Sequence, residues 1–252
     1  EKIKAWSAED NGFPIIYRKV PNGGKMRAVN IGLKLARGEL FFNLDSDDYL
    51  PDTAIETVIK WEATIAGQKD RFAGVAGLKC RFDGTLIGRT FPGKYLDASV
   101  AERSKYDIQG DRVEVFYTEV FRRHPFPEFE SEKFISEGVT WLEICCEEQL
   151  ILRWFNEDVY HCEYLEDGYS AHSFKLAVNN PRGILHNTHR IIELTKPRYV
   201  KKLKLWHKYF LVGEMNQYSK KKIKQDLELR TIDFTILYFG HYLKWMLNKL
   251  IK

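Results

Sequence analysis

The sequence predicts an α/β domain with a mainly parallel sheet, followed by a helical C-terminal region. Over the first two thirds of the chain, short apolar runs typical of strands alternate with stretches whose apolar residues recur at helical spacing. From residue 184 onward the pattern is helical throughout. With 252 residues, of which 44% are hydrophobic, the chain is long enough to bury a sizeable core.

The first predicted unit is a strand, a turn and a helix. Residues 14–20 (PIIYRKV) read as a strand, and residues 21–24 (PNGG) as a turn. A helix is predicted from Met26 to Ala36, and Gly38 ends it. The turn and the lysine after it can aim N–H groups and an ammonium at a phosphate, although a plain turn explains the same residues.

The next unit is a strand that ends in acidic residues. Residues 39–44 (ELFFNL) are a short apolar run typical of a strand buried on both faces. Asp45, Asp47 and Asp48 follow at its carboxyl end, where open α/β sheets bind their ligands. Carboxylates this close repel one another unless a divalent cation neutralises them, so the pattern indicates a metal that holds a diphosphate. The alternative is that these aspartates only cap a turn.

A second helix is predicted to start with a capping box formed by Thr53 and Glu56. Its apolar stripe consists of Ile55, Val58, Ile59 and Ile65.

The remaining elements extend the alternation and then end it. Residues 72–82 and 150–164 are predicted strands, and residues 138–148 a helix. A change in composition near residues 180–183 (NPRG) places a domain boundary there.

We therefore predict a catalytic domain over residues 1–183 and a basic helical region over residues 184–252, with breaks near Gly213 and Ser219.

The net charge of +4 is concentrated in the C-terminal region. Residues 196–224 contain ten lysines and arginines and one acid, Glu214. Together with the amphipathic segment 232–252, this pattern suggests peripheral contact with an anionic membrane surface, or else a solvated helix face. Nucleic acid is not an expected partner.

The chain shows no sign of export or of membrane insertion. It contains no run of 18 apolar residues and no signal-peptide pattern. Its four cysteines lack C-x-x-C spacing, which fits a reducing compartment. We expect a cytoplasmic protein that is at most peripheral on the inner face of the plasma membrane.

Six stretches of the chain form a specific pattern in order and spacing: residues 22–30 (NGGKMRAVN), 36–39 (ARGE), 42–48 (FNLDSDD), 110–112 (GDR), 126–138 (FPEFESEKFISEG) and 163–170 (EYLEDGYS). They resemble the inverting family 2 glycosyltransferases, and in particular a bacterial subgroup associated with surface polysaccharide synthesis. The resemblance covers roughly residues 1 to 183.

The resemblance implies the A-type glycosyltransferase fold, a Rossmann-like nucleotide-binding domain. It implies that Asp45 lies near the ribose of the nucleotide and that Asp47 ligates Mn or Mg, with Asp45 as a further candidate ligand. Lys25, Asn30 and Asp48 are the other residues expected on the donor side. The donor is expected to be a nucleotide sugar, most simply a UDP-sugar.

The resemblance also implies a general base on the acceptor side, at the start of a helix. Glu137 matches this position best, and Glu132 is the alternative because relatives carry an acidic pair where this chain has Glu137 followed by Gly138. Asp111 and Arg112 either shape the acceptor side or form an exposed turn, and Trp141 is expected to fill the core.

The expected acceptor is a saccharide or a lipid-linked saccharide. The chain could also form a homo-oligomer. Two other functions fit the acidic cluster: a scaffold subunit with a decayed site, and a metal-dependent nucleotidyltransferase.

Members of the family begin with a strand, a helix and a second strand that contact uracil. Nothing before Glu1 supplies these elements, so we expect an N-terminally incomplete fold.

Overall fold

The computed structural model describes residues 2–164 and 172–250, with side-chain surroundings through residue 243. Five strands make up the sheet: β1 (Leu40–Phe41), β2 (Phe72–Cys80), β3 (Tyr95–Ala98), β4 (Arg112–Tyr117) and β5 (Ile151–His161). The first six helices are α1 (Lys2–Trp6), α2 (Lys25–Leu35), α3 (Ala54–Ala63), α4 (Thr118–Arg123), α5 (Glu137–Glu147) and α6 (Ser173–Asn179). The last four are α7 (Pro181–Thr195), α8 (Tyr199–Met215), α9 (Lys220–Asp226) and α10 (Thr231–Leu250).

The strands form one mixed sheet in the order β1-β4-β2-β5-β3. Only β2 and β5 are parallel neighbours in the described chain, whereas the other three pairings are antiparallel. The predicted α/β fold class is confirmed, although the sheet is mixed and not mainly parallel. β1, β2 and β5, which were predicted, run in one direction. β3 and β4, which were not predicted, run the other way, with β4 between β1 and β2 and β3 at the edge beside β5.

The carboxyl ends of β1, β2 and β5 consequently lie at the same edge of the sheet as the amino end of β4. This edge is where the acidic loop after β1 lies.

Two predicted strands differ from the structure. Residues 14–20 form no strand, and no described strand pairs with them; Ile16 and Tyr17 are exposed. The run at 39–44 forms only the two-residue β1, which is half-buried because it lies at the sheet edge and pairs with β4 alone.

The helix predicted after the acidic loop is present as α3, but its capping box does not form. Thr53 has helical backbone angles, φ −89° and ψ −1°, so its hydroxyl cannot adopt the usual capping geometry. Val58 and Ile65 are buried as predicted, whereas Ile55 and Ile59 are exposed.

A single hydrophobic core surrounds β2, whose residues are buried along almost the whole strand. On one face, Trp61 of α3 stacks on Phe155 at 5.3 Å between ring centroids. On the other, Trp141 of α5 packs on Phe116 at 4.6 Å, as expected for a core residue. Gly74 allows the strands to approach, since a Cβ there would lie 2.0 Å from the Val115 carbonyl oxygen.

The C-terminal helices have a second hydrophobic cluster, centred on α8. Its buried members include Tyr209, Phe210, Ile223 and Leu237. Gly213 lies inside α8 against Ile223 rather than at a break; the chain leaves helical geometry after Met215 instead. The domain boundary near residue 183 stays a prediction.

The face of α10 that turns away from this cluster is apolar and exposed. Its exposed residues recur at helical spacing: Ile232, Ile236, Phe239, Tyr242 and Leu243.

None of the described helices is both long and apolar enough to cross a membrane.

Candidate active site

A cleft of about 490 Å³ opens at the carboxyl ends of β1, β2 and β5. Charged side chains of both signs line it, with acids in the majority. The acids are Asp45, Asp47, Asp48, Asp111, Glu114, Glu137 and Glu163, and the bases are Lys25, Lys79, Arg103 and Arg112.

Helix α2 starts at the cleft because a glycine precedes it. Gly24 has φ +93°, and a Cβ at this position would lie 1.9 Å from the carbonyl oxygen of Lys133. Only glycine permits both this conformation and this contact. The turn therefore packs directly on the segment that leads to α5, and Lys25 points into the cleft between them.

Lys25 joins the two halves of the predicted site. Its ammonium nitrogen lies 2.6 Å from a carboxylate oxygen of Asp45 and 2.8 Å from one of Glu137. Burial alone would lower the pKa of Lys25, but the two carboxylates together raise it above its ordinary value. The lysine is therefore charged and holds the predicted donor residue and the predicted base in one network.

Tyr160 of β5 fixes the acidic loop. Its hydroxyl accepts a hydrogen bond from the backbone N–H of Asp45 at 3.0 Å and donates one to Asp48 at 2.6 Å. Partial burial and the neighbouring Asp47 and Asp45 raise the pKa of Asp48, against the lowering effect of the Tyr160 hydrogen bond. Asp47 is exposed in the cleft and has no hydrogen-bond or ion-pair partner in the described chain.

These aspartates fit a cation that arrives with its own phosphate ligands. They do not converge as three ligands; the single such cluster in the described residues is Cys80, Asp158 and His161, which does not line the cleft. Mg²⁺ and similar ions are commonly held by one or two carboxylates plus substrate phosphates. The exposed carboxylate of Asp47 suits this arrangement.

Glu137 and Glu132 lie in different surroundings. Glu137 is the first residue of α5 and lines the cleft. Glu132 is buried outside it, and its two oxygens accept hydrogen bonds from the N–H groups of Arg182 and Gly183 at 2.7 and 2.8 Å. Its carboxylate thus caps α7.

Asn30 also lies outside the cleft. Its amide oxygen accepts a hydrogen bond from the N–H of Phe126, and its amide nitrogen donates to the carbonyl of the same residue, both at 2.9 Å. Of the seven predicted site residues, the structure brings together Lys25, Asp45, Asp47, Asp48 and Glu137.

The sequence analysis missed Lys79, Arg103 and Glu114 as residues of the cleft. Glu114 lies on β4, and burial raises its pKa to about 7, against the lowering effect of Arg103. The signal that could have revealed it is the pattern RVEVFY in β4, where charged residues alternate with apolar ones.

The pKa of Glu114 predicts a pH dependence of stability. A carboxyl whose pKa is raised on folding favours the folded state while it is protonated, so its contribution is lost as pH rises from about 4.5 towards 7. Relative to Glu114→Gln, the free energy of unfolding of the wild type should fall by up to about 3 kcal/mol across this interval, measured by urea unfolding. Glu56→Gln, at an exposed position, should show no such trend; a constant difference between wild type and Glu114→Gln would contradict the prediction.

Comparisons with known proteins bear on the family and on the fold. The sequence model of the glycosyl transferase family 2 matches residues 1–63. No curated protein matches the chain.

Solved structures of S. aureus TarS share the fold. TarS 1-349 has a TM-score of 0.51 at 14% identity, over 94% of this chain and 67% of that one. Its complex with UDP-GlcNAc gives 0.51 at 12% identity, over 96% and 79%. A longer TarS structure gives 0.50 at 13% identity, over 96% of this chain and 44% of that one. The predicted resemblance to the family 2 glycosyltransferases is thus confirmed, by sequence over residues 1–63 and by the A-type glycosyltransferase fold over most of the chain.

Proposed function

We propose that this chain transfers a sugar from a nucleotide-diphosphate donor, a UDP-sugar, to an acceptor hydroxyl with inversion at the anomeric carbon. The observation that carries the proposal is the contact of Lys25 with both Asp45 and Glu137 in one cleft. Two carboxylates from distant parts of the chain, one suited to the donor and one to the acceptor, are held on the same ammonium group.

The donor side of the cleft is the acidic loop. In the proposed function Asp47, with Asp45, would hold Mn or Mg, which would supply positive charge to offset the charge on the departing nucleotide diphosphate. Tyr160 keeps the loop in place through its two hydrogen bonds, so that these carboxylates face the cleft.

Glu137 acts as the general base on the acceptor side. A base must lie within hydrogen-bond reach of the hydroxyl that it deprotonates, and Glu137 faces the open cleft whereas Glu132 does not. Lys25 fixes the position of the Glu137 carboxylate, as a catalytic group requires. The activated hydroxyl then displaces the nucleotide diphosphate directly, which inverts the anomeric carbon.

The choice of a UDP-sugar as donor is supported by the structural neighbour that was solved with UDP-GlcNAc. Two other functions predict different behaviour. A scaffold with a decayed site would not bind nucleotide, and a nucleotidyltransferase would release pyrophosphate rather than a nucleoside diphosphate.

The donor assignment predicts metal-dependent nucleotide binding. UDP should bind the protein in the presence of Mn, and EDTA or Asp47→Ala should weaken binding at least about tenfold, because the diphosphate loses its neutralising cation. Calorimetric titration measures this, and Asp52→Ala, also exposed and just beyond the loop, should bind as the wild type does. Failure to bind UDP, GDP and dTDP would favour the scaffold.

The base assignment predicts a loss of turnover without a loss of donor binding. Glu137→Gln should lower the rate of sugar transfer by about 10²- to 10⁴-fold, with the affinity for UDP little changed. Glu132→Gln should act on stability instead, because its carboxylate caps α7. If folded Glu132→Gln loses turnover and Glu137→Gln keeps it, the base is Glu132.

We also propose that α10 contacts an anionic membrane surface. α10 has an exposed apolar stripe, and Lys220 of α9 donates a hydrogen bond to Tyr238 on α10 at 2.7 Å. Further lysines of α8 and α9 are exposed, among them Lys201, Lys204 and Lys221. An apolar helix face combined with basic residues is the pattern of interfacial helices. Such contact suits an acceptor carried on a lipid.

The membrane proposal predicts binding to vesicles that contain phosphatidylglycerol, and weaker binding to vesicles of phosphatidylcholine alone or at high salt. The double variant Ile236→Ser and Phe239→Ser should reduce co-sedimentation with vesicles. The matched variant Ile55→Ser and Ile59→Ser removes two equally exposed isoleucines from α3 and should not. Equal effects of the two variants would contradict contact through α10.

A further inference from the structure

Arg112, at the start of β4, is a buried cation with an incomplete set of partners. Arg112 is only 4% exposed, yet it lines the cleft. One terminal nitrogen, Nη2, donates a hydrogen bond to the carbonyl of Arg89 at 2.5 Å. The Nε and Nη1 nitrogens are buried and have no hydrogen-bond partner in the described part of the chain.

This arrangement is unfavourable without a ligand. A guanidinium stays charged in proteins, and its N–H groups cost free energy when they are buried and unpaired. Burial, and after it the neighbouring Arg103, lower the pKa of Arg112 to about 10. Within the described part of the chain no carboxylate pairs with Arg112, and Glu114 opposes the lowering of its pKa only in part.

The second cation, Arg103, lies close by and also lines the cleft. One of its nitrogens donates to the carbonyl of Gly110 at 2.5 Å, and another lies 4.0 Å from a carboxylate oxygen of Glu114. Burial raises the pKa of Glu114 to about 7, so near neutral pH this acid is only partly ionised and offsets only part of the charge of the two arginines. Asp111 accepts a hydrogen bond from the Tyr164 hydroxyl at 2.9 Å and not from either arginine.

We propose that Arg112, with Arg103 beside it, binds an anionic oxygen group, a phosphate or a carboxylate, that a sugar substrate carries in addition to the donor diphosphate. The inference rests on the proposed function, because it assigns this group to a substrate of the transfer. In the proposed function the acidic loop and its cation would bind the donor diphosphate, whereas the one side-chain hydrogen bond of Arg112 in the described chain goes to Arg89 and not to that loop. Each of the two unpaired nitrogens, Nε and Nη1, forms a fork with Nη2, which has a second N–H beyond the one donated to Arg89, and such a fork suits the two oxygens of this group.

The experiment uses the full chain saturated with UDP and Mn, so that the nucleotide site is filled. Glycerol 3-phosphate and glucuronate serve as probes, and their binding is measured by ligand-observed NMR titration. At least one probe should bind the wild type. Arg112→Met should weaken it about ten- to hundredfold, because a charged group with its hydrogen bonds is removed. Arg112→Lys keeps the charge but loses the forked N–H donors, so its affinity for the probe should lie between those of the wild type and Arg112→Met.

The control is Arg71→Met, which removes an exposed arginine outside the cleft and should leave probe binding unchanged. Circular dichroism establishes that each variant is folded. Should Arg112→Met fail to fold, Arg103→Gln is expected to weaken the same probe and tests the proposal at the second guanidinium.

A further comparison identifies the substrate that carries the anion. If UDP-glucuronate binds more tightly than UDP-glucose, and Arg112→Met abolishes the preference, the anion belongs to the donor sugar. If the two donors bind equally while a probe still binds beside them, it belongs to the acceptor.

The outcomes separate this inference from the proposed function. UDP binding without binding of either probe, or with probe binding that both Arg112→Met and Arg103→Gln leave unchanged, would overturn the anion site and leave the transferase intact. Loss of UDP binding in folded Arg112→Met would also overturn it, since Arg112 would then serve the diphosphate. Failure of the wild type to bind any nucleotide, with probe binding that still depends on Arg112, would reject the transferase and keep the anion site.

Discussion

The segment before α5 is held on two sides by contacts to main-chain atoms, and the geometry of the cleft depends on it. On one side the missing Cβ of Gly24 lets the turn before α2 lie against the backbone of Lys133. On the other, the side-chain oxygen of Asn180 accepts hydrogen bonds from the N–H groups of Lys133 and Phe134 at 2.8 and 3.0 Å. Because both contacts involve backbone, the position of Glu137 is set by the path of the chain and not by side-chain packing alone.

The same constraint explains how charges of opposite sign are arranged in the cleft. The close approach at Gly24 brings the first residue of α2 beside the first residue of α5, so Lys25 can neutralise two carboxylates. The acidic loop is held from the opposite side by Tyr160. Among the described residues of the cleft, the acids Asp47, Asp48 and Asp111 and the bases Lys79 and Arg112 make no ion pair, so unpaired charges of both signs line it. Such charges can form charge-assisted hydrogen bonds with substrate groups of opposite sign.

The helices and buried strands that carry apolar periodicity could be predicted from the sequence. α2, β2, α5 and β5 were found in this way, together with the position of the acidic loop after β1. β3 and β4 escaped detection because β3 is four residues long and β4 carries charges on the cleft face, which breaks its apolar run. Because these two antiparallel strands were missed, the sheet was predicted to be mainly parallel, whereas it is mixed.

The site was predicted where chemistry follows from local sequence and missed where it follows from long-range contacts. Asp47 and Glu137 line the cleft because Asp47 lies in the loop after β1 and Glu137 is the first residue of α5, and both positions could be predicted from the local sequence. The side chains of Glu132 and Asn30 could also bind substrate, but each binds main-chain groups instead, 50 and 96 residues away respectively. No pattern in the sequence reveals such partners.

The capping of α7 by Glu132 ties the C-terminal helices to the segment that positions the cleft residue Glu137. The carboxylate that satisfies the first N–H groups of α7 belongs to the segment that leads into α5, and a Cβ at Gly183 would lie 2.8 Å from the carbonyl oxygen of Phe134. Excision of the helical region would strip a buried charge of its hydrogen bonds next to the proposed base. The two hydrophobic clusters are therefore expected to melt together as one cooperative unit, and chimeric enzymes that exchange the helical region should be joined well upstream of residue 132 or should carry residues 132 and 180–183 as a matched set.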